Sequence, residues 1–190
     1  MTAPDRPPGS SLPAAVDVLA YWRALGSQRW YAKDDAVDAE IRKTFLPLYG
    51  AAVEGLLKEW EHDAQGALAL VIVLDQFSRN MFRGSAAAFA ADPLARAVAD
   101  RAIARGFDRH FTHPERRFFY LPFMHSEALA DQERCCELCR EAQDQDGLAY
   151  AEQHAGIIRR FGRFPHRNRL LGRETTPQEQ AFLDGGGFAG

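Results

Sequence analysis

Residues 66–83 form the most apolar stretch of this chain, and they end in a dense polar sequence, LDQFSRNMFRG at 74–84. The uninterrupted run from Ala67 to Leu74 has no polar face to offer to water, so other elements must surround it. Val71-Ile72-Val73 taken alone suits a buried strand, but the alanine and leucine flanks and the length of the stretch favour a buried helix. The run is far short of the ~20 apolar residues that cross a bilayer.

Every other strong signal is also helical. Ala14 to Leu25 sets Val18, Leu19, Trp22 and Leu25 on one stripe with Gly26 as a stop. Asp38 to Tyr49 does the same with Ile41, Phe45 and Leu48, and Pro47 is expected to end or kink that helix before a short piece from Val53 to Trp60. Asp92-Pro93 reads as an N-cap and first-turn proline for a helix running to Gly106. A helix from about Ser126 to Gln145 follows, separated by Gly147 from another that ends near Arg160. Thr176-Pro177-Gln178-Glu179 supplies the last start, with cap, proline and capping-box glutamate in order. No two strand candidates are joined by a hairpin turn. The expected fold is therefore all-α, without a sheet: about eight helices in a tetratricopeptide-like array or an orthogonal bundle. Trp22-x-x-Leu25-Gly26 opens like a tetratricopeptide, but Arg29 replaces the tyrosine of that pattern and Leu56 replaces the next tryptophan, so regular repeats are absent.

Residues 1–13 hold four prolines and no hydrophobic stretch, and read as a disordered arm. Residues 14–184 read as a single domain and 185–190 as a frayed end. At 190 residues the chain can bury roughly 70% of its unfolded surface without a covalent staple. Twenty-three basic against 26 acidic residues, net charge -3, argue against nucleic acid as a partner. Three clustered cysteines, Cys135, Cys136 and Cys139, and the lack of a signal-like start fit a cytoplasmic, reducing location.

Three polar constellations stand out. At about 100° per residue, Asp75, Arg79, Arg83, Gln76 and Asn80 share one helix face, while Leu74, Phe77 and Met81 occupy the other. A solvated face with an Asp75–Arg79 pair would explain this at ~0.2–0.5 kcal/mol. Amides beside two guanidiniums equally form directional donors suited to a carboxylate or phosphate. The run RRFGRFPHRNRLLGR, 159–173, has six arginines, one histidine and no acid, so carboxylates elsewhere in the fold or a bound anion must neutralise it. Within it Arg163, His166, Arg167, Asn168 and Arg173 are the candidate ligand-binding residues, and Pro165 sets a turn. In LPFMHSE, 121–127, His125 titrates near neutrality and could work as acid or base with Glu127 as its orienter. That pairing requires His125 to precede a helix capped by Ser126, since i and i+2 point apart on a helix. His166 is the second acid-base candidate. His154 lies on an apolar stripe and reads as a hydrogen-bonded core residue. No metal or cofactor is expected: there is no His-Glu-x-x-His, no paired Cys-x-x-Cys, no phosphate-binding loop, dinucleotide glycine fingerprint or Gly-x-Ser-x-Gly elbow.

LDQFSRNMFRGSAAAFAADPLA at 74–95, LPFMHSEALADQE at 121–133 and HAGIIRRFGRFPHRNRLLGRETTPQEQAFL at 154–183, together with Trp30-Tyr31 and the helix from Asp38 to Phe45, resemble the bacterial domain-of-unknown-function family 924. The resemblance implies an all-α, tetratricopeptide-like fold and no particular reaction. The family's Asp-Gln-Phe-x-Arg-Asn pattern falls on Asp75, Gln76, Phe77, Arg79 and Asn80, its His-Ser-Glu pattern on His125, Ser126 and Glu127, and its Gly-Arg-Phe-Pro-His-Arg-Asn pattern on 162–168. The expectation is that the three segments converge and bind a small anionic molecule. The alternatives are a scaffold that binds a peptide or protein, and a hydrolase-like enzyme using His125 or His166.

Overall fold

A computed structural model describes residues 12–188, and among these there are helices and turns but no strand. The expected disordered arm lies, from residue 1 to 11, outside the described residues. Eight helices follow in order: α1 Ala15–Leu25, α2 Asp35–Val53, α3 over 64–81, α4 Asp92–Ala104, α5 Leu121–Met124, α6 Leu129–Glu141, α7 Gln145–Phe161 and α8 Pro177–Asp184. The all-α expectation holds.

The apolar run becomes α3, the centre of the molecule, and α1, α2 and α4 all pack on it. Leu68, Leu70, Val71, Ile72, Val73, Leu74 and Phe77 are each at most 4% exposed. A helix apolar all round has no solvent side, and neighbours on every face answer that requirement. Trp22 of α1 stacks on Trp30 and meets Phe77 and Phe118 edge to face, and Trp30 Nε1 donates to the Trp22 carbonyl at 2.6 Å. Helices α6 and α7 form a hairpin, and Cys135, Cys136 and Cys139 are buried, free thiols in α6.

Four expected boundaries move. Helix α2 starts earlier, because the Asp34 carboxylate accepts from the Ala36 and Val37 amides and caps it there. It also runs through Pro47, which lies on the exposed face while Phe45 and Leu48 stay in the core, so the helix tolerates the proline where no core contact is lost. The expected piece from Val53 to Trp60 is replaced by a turn at Gly55, whose φ of 73° suits glycine, and a 3-10 turn at Lys58–His62. Gly147 sits inside α7 rather than before it. Its amide donates to the Asp144 cap, and the break falls at 142–144.

Two details place the polar segments. In α3 the residues Ile72–Phe77 take i→i+5 hydrogen bonding between α-helical flanks Ala64–Val71 and Ser78–Met81, a wide turn of the kind found often at functional positions. The chain after α7 leaves at Gly162 with φ 69°, makes a 3-10 turn at Pro165–Arg167 and reaches α8 through the expected capping box at Thr176 and Glu179.

Candidate functional site

The wide turn in α3 brings Asp75 and Gln76 inward, at 0% and 6% exposure, so neither belongs to a solvated face. A buried carboxylate must be paired or neutralised. Asp75 Oδ1 accepts from His125 Nδ1 at 2.8 Å and pairs with Arg79 Nη1 at 3.1 Å, while Oδ2 accepts from the Gln76 amide. Burial alone would raise the Asp75 pKa, but Arg79, His125 and the Gln76 amide bring it down to about 2. Asp75 is therefore an anion at any physiological pH.

His125 closes α5 as its C-terminal cap residue and precedes α6, as the acid-base reading requires. Its partner is not the expected one. Glu127 accepts from the Phe164 amide at 2.8 Å and from both Arg173 Nη atoms at 2.6 and 2.9 Å, and these contacts hold its pKa low against the opposing effect of burial. Asp75, fifty residues earlier, orients His125 instead. Ser126 does not cap α6: its hydroxyl donates to Asp131 and accepts from the Ala128 amide, and Ala128 is the cap residue. Burial and the nearby Arg79 charge push the His125 pKa down, against the pull of Asp75, so the ring is neutral at neutral pH.

Arg79 extends from Asp75 to a second acid, Asp92, which it holds with two hydrogen bonds at 2.9 and 3.1 Å. Asp92 is the first residue of α4. It does not cap that helix, and Ala91 precedes it as the cap residue. From the other side Arg167 Nη1 approaches Asp92 Oδ2 at 3.8 Å. Arg167 is 7% exposed, and its guanidinium lies 4.5 Å from the Phe89 ring centre and 4.6 Å from that of Phe164. Its Nε is buried without a hydrogen-bond partner among the described residues. Burial and the repulsion of Arg79 lower its pKa to about 10.

All three constellations thus meet at one place: Asp75, Gln76 and Arg79 from α3, His125 from α5, and Arg167 from the turn before α8, joined through Asp92. The remaining candidates face internal carboxylates. Asn80 and Arg83 both donate to Asp38 of α2, at 2.7 and 3.0 Å. Arg163 and Asn168 bind Glu179 of α8, and Arg173 binds Glu127. The hydrogen bonds from Arg163, with the capping amide and hydroxyl of Thr176, bring the buried Glu179 down to about 2. His166 packs against Phe164 and Phe188, and its Nδ1 is buried without a partner among the described residues. Burial and Arg167 lower its pKa to about 4. His154 is the core residue expected, its Nδ1 donating to the Tyr150 carbonyl at 2.8 Å. Phe188, within the segment expected to fray, meets His154 edge to face at 4.5 Å.

Sequence reasoning missed Asp92 and Phe89. The Asp92-Pro93 pair signals a helix start, but it equally places the acid at the first helical position, where its side chain is free of capping duty. Two open depressions on the surface are lined by outlying candidates, one by Arg163, Arg173 and 174–177, the other by Asp38, Asn80 and Arg83. Neither includes the Asp75–His125 centre, where the buried charge is concentrated. No group of three or more metal-binding side chains occurs among the described residues, and no described helix is long and apolar enough to cross a membrane.

A family model described as "Bacterial protein of unknown function (DUF924)" matches residues 18–187. The solved structure of protein of unknown function ATU0120 from Agrobacterium tumefaciens is 45% identical and superposes with a TM-score of 0.87, covering 90% of this chain and 97% of that one. No curated protein matches the chain.

Proposed function

This chain belongs to the bacterial family of unknown function DUF924, whose membership carries no activity with it, and from the geometry we propose that the cluster around Asp92 binds a small anionic molecule through a phosphate or carboxylate group. Arg167 carries this reading. Asp92 is already held twice by Arg79, its contact with Arg167 is long, and the buried Arg167 Nε has no acceptor among the described residues. A buried donor without an acceptor costs ~1–3 kcal/mol, more when charged, and an oxyanion seated beside Arg167 removes that cost. The aromatic rings of Phe89 and Phe164 lie against the guanidinium and hold it in place.

Arg79 is the second donor and His125 the third polar group. Asp75 and Gln76 hold these two in place. Asn80, Arg83, Arg163, Asn168 and Arg173 belong to the frame around the site, because each donates to a carboxylate of the protein at 3.2 Å or less, although Arg173 Nε and Asn168 Oδ1 are also buried without a partner among the described residues. A compact cluster of buried charge suits the anionic group of a metabolite better than an extended peptide, which would need a long groove.

The test is a thermal-shift screen against inorganic phosphate, small carboxylates and sugar phosphates, with Arg79→Ala, Arg167→Ala and Arg83→Ala. A ligand at ~100 times its dissociation constant adds ~2.7 kcal/mol, a rise of several degrees in Tm at this chain length. The expected pattern is a shift in the wild type and in Arg83→Ala that disappears in folded Arg167→Ala and shrinks in Arg79→Ala. A shift that survives Arg167→Ala, or none across the panel, overturns the assignment, and the second outcome favours a protein-binding scaffold.

A further inference from the structure

The anion site has a neighbour that binding alone does not use. Asp75 is ionised and can only accept, so the hydrogen bond at 2.8 Å fixes the proton of neutral His125 on Nδ1. The lone pair is then on Nε2, which has no hydrogen-bond partner among the described residues and belongs to a side chain 17% exposed. His125 and Arg79 share Asp75 Oδ1, at 2.8 and 3.1 Å, and Arg79 and Arg167 share Asp92 Oδ2, at 3.1 and 3.8 Å. A basic nitrogen without a partner therefore belongs to a ring that Asp75 links to Arg79, and that Arg79 and Asp92 link in turn to Arg167.

We propose that His125 Nε2 is a nucleophile that accepts a phosphoryl group from a small activated phosphoryl donor, with Arg79 and Arg167 holding the phosphoryl oxygens. The inference rests on the anion site proposed above and deepens it. In the step, the Nε2 lone pair forms the N–P bond while the bond from phosphorus to the leaving group breaks, and that group departs with its electron pair. The imidazole gains a positive charge in the process. Asp75 offsets it through the Nδ1 hydrogen bond, which is the arrangement that activates a histidine for covalent catalysis. The charged groups around the ring are Asp75, Arg79 and Asp92, with His154 on the side of α7.

Phosphoramidate, a small donor that loses neutral ammonia, is the probe. Free chemical modification favours the exposed rings of His62 and His110. His125 is expected to reverse that preference. Mass spectrometry and phosphorus NMR should show phosphohistidine forming faster at His125 than at His62 or His110, falling to their level in Arg167→Gln and absent in His125→Asn. Asp75→Asn should slow the reaction where it folds, and the comparison of sites within the wild type decides the matter where it does not. Modification of His125 no faster than of His62 and His110 overturns the inference. Inorganic phosphate in the thermal-shift assay separates the two readings: a shift lost in Arg167→Gln with no preference for His125 leaves the binding site standing and removes the nucleophile, whereas no shift and no preference remove both.

Discussion

At the scale of single residues, the protein is built on neutral histidines and ionised acids held in the same interior. His154 is 6% exposed, and burial drives its pKa down to about 4. A histidine depressed in the folded state binds its proton more readily when unfolded, so protonation works against folding. Stability is full above the unfolded pKa of ~6.5 and falls as pH drops towards about 4. For His154 the loss amounts to roughly 3 kcal/mol, and His166 and His125 act in the same direction. Asp75, depressed to about 2, contributes stability that is present above the unfolded carboxylate value of ~3.9 and lost only as pH falls through about 2. Urea denaturation midpoints should therefore drop between about pH 6.5 and 4 as the histidines charge, and drop further below 4 as Asp75 and Glu179 take up protons. His154→Gln, which keeps a donor for the Tyr150 carbonyl, should flatten the upper part of that profile. An unchanged profile in the variant would show that another group dominates.

Among the helices, the closest approach is where α3 begins. A Cβ on Gly66 would lie 2.2 Å from the backbone oxygen of Trp60, and backbone cannot swing aside as a side chain can. Gly66→Ala should cost ~1–3 kcal/mol through overpacking. Gly156, on the exposed side of α7, has nothing within 4 Å of the same position. There Gly156→Ala should stabilise by ~0.5–1 kcal/mol through helix propensity alone. The two substitutions are chemically identical, so equal effects in thermal unfolding would contradict the packing at Trp60. The same comparison shows why sequence signals differ in worth. Thr176 and Glu179 form a local device, complete within four residues, and α8 starts where the pattern places it. Pro47 is the opposite case. Its consequence depends on whether the freed carbonyl faces water or the core, and only packing decides that.

Over the whole molecule, two apolar clusters differ in size. The large one gathers α1 to α7 around α3, whereas Ile157, Ile158 and Phe164 form a small one with Phe161, Phe182 and Phe188. Stability follows buried apolar contact, so the segment from Gly162 through α8 should open at lower free energy than α3. Arg167 rides on that segment while Asp75, Arg79 and Asp92 stand on the large core. Hydrogen exchange should show faster amides over residues 162–184 than over 66–77, and a saturating anion should slow the former selectively. Uniform protection with and without the anion would count against a site that spans the two clusters.

What the amino-acid pattern determined by itself is the class of fold and the residues rich in chemistry. Helical spacing, capping boxes and one run apolar on every side are local or one-dimensional properties, and they lead to an all-α protein centred on α3. The three polar segments were legible too, because amides and guanidiniums beside core residues stand out without coordinates. Tertiary structure alone decided which of them serve a common centre. The pairing of His125 with Asp75 and the junction at Asp92 bridge separations of 50 and 75 residues. Arg163, Arg173 and Arg83 look equivalent to Arg167 in sequence, yet they differ in the carboxylate each one meets. Partner choice of this kind depends on distances of a few ångströms in a low-dielectric interior, which no one-dimensional spacing encodes.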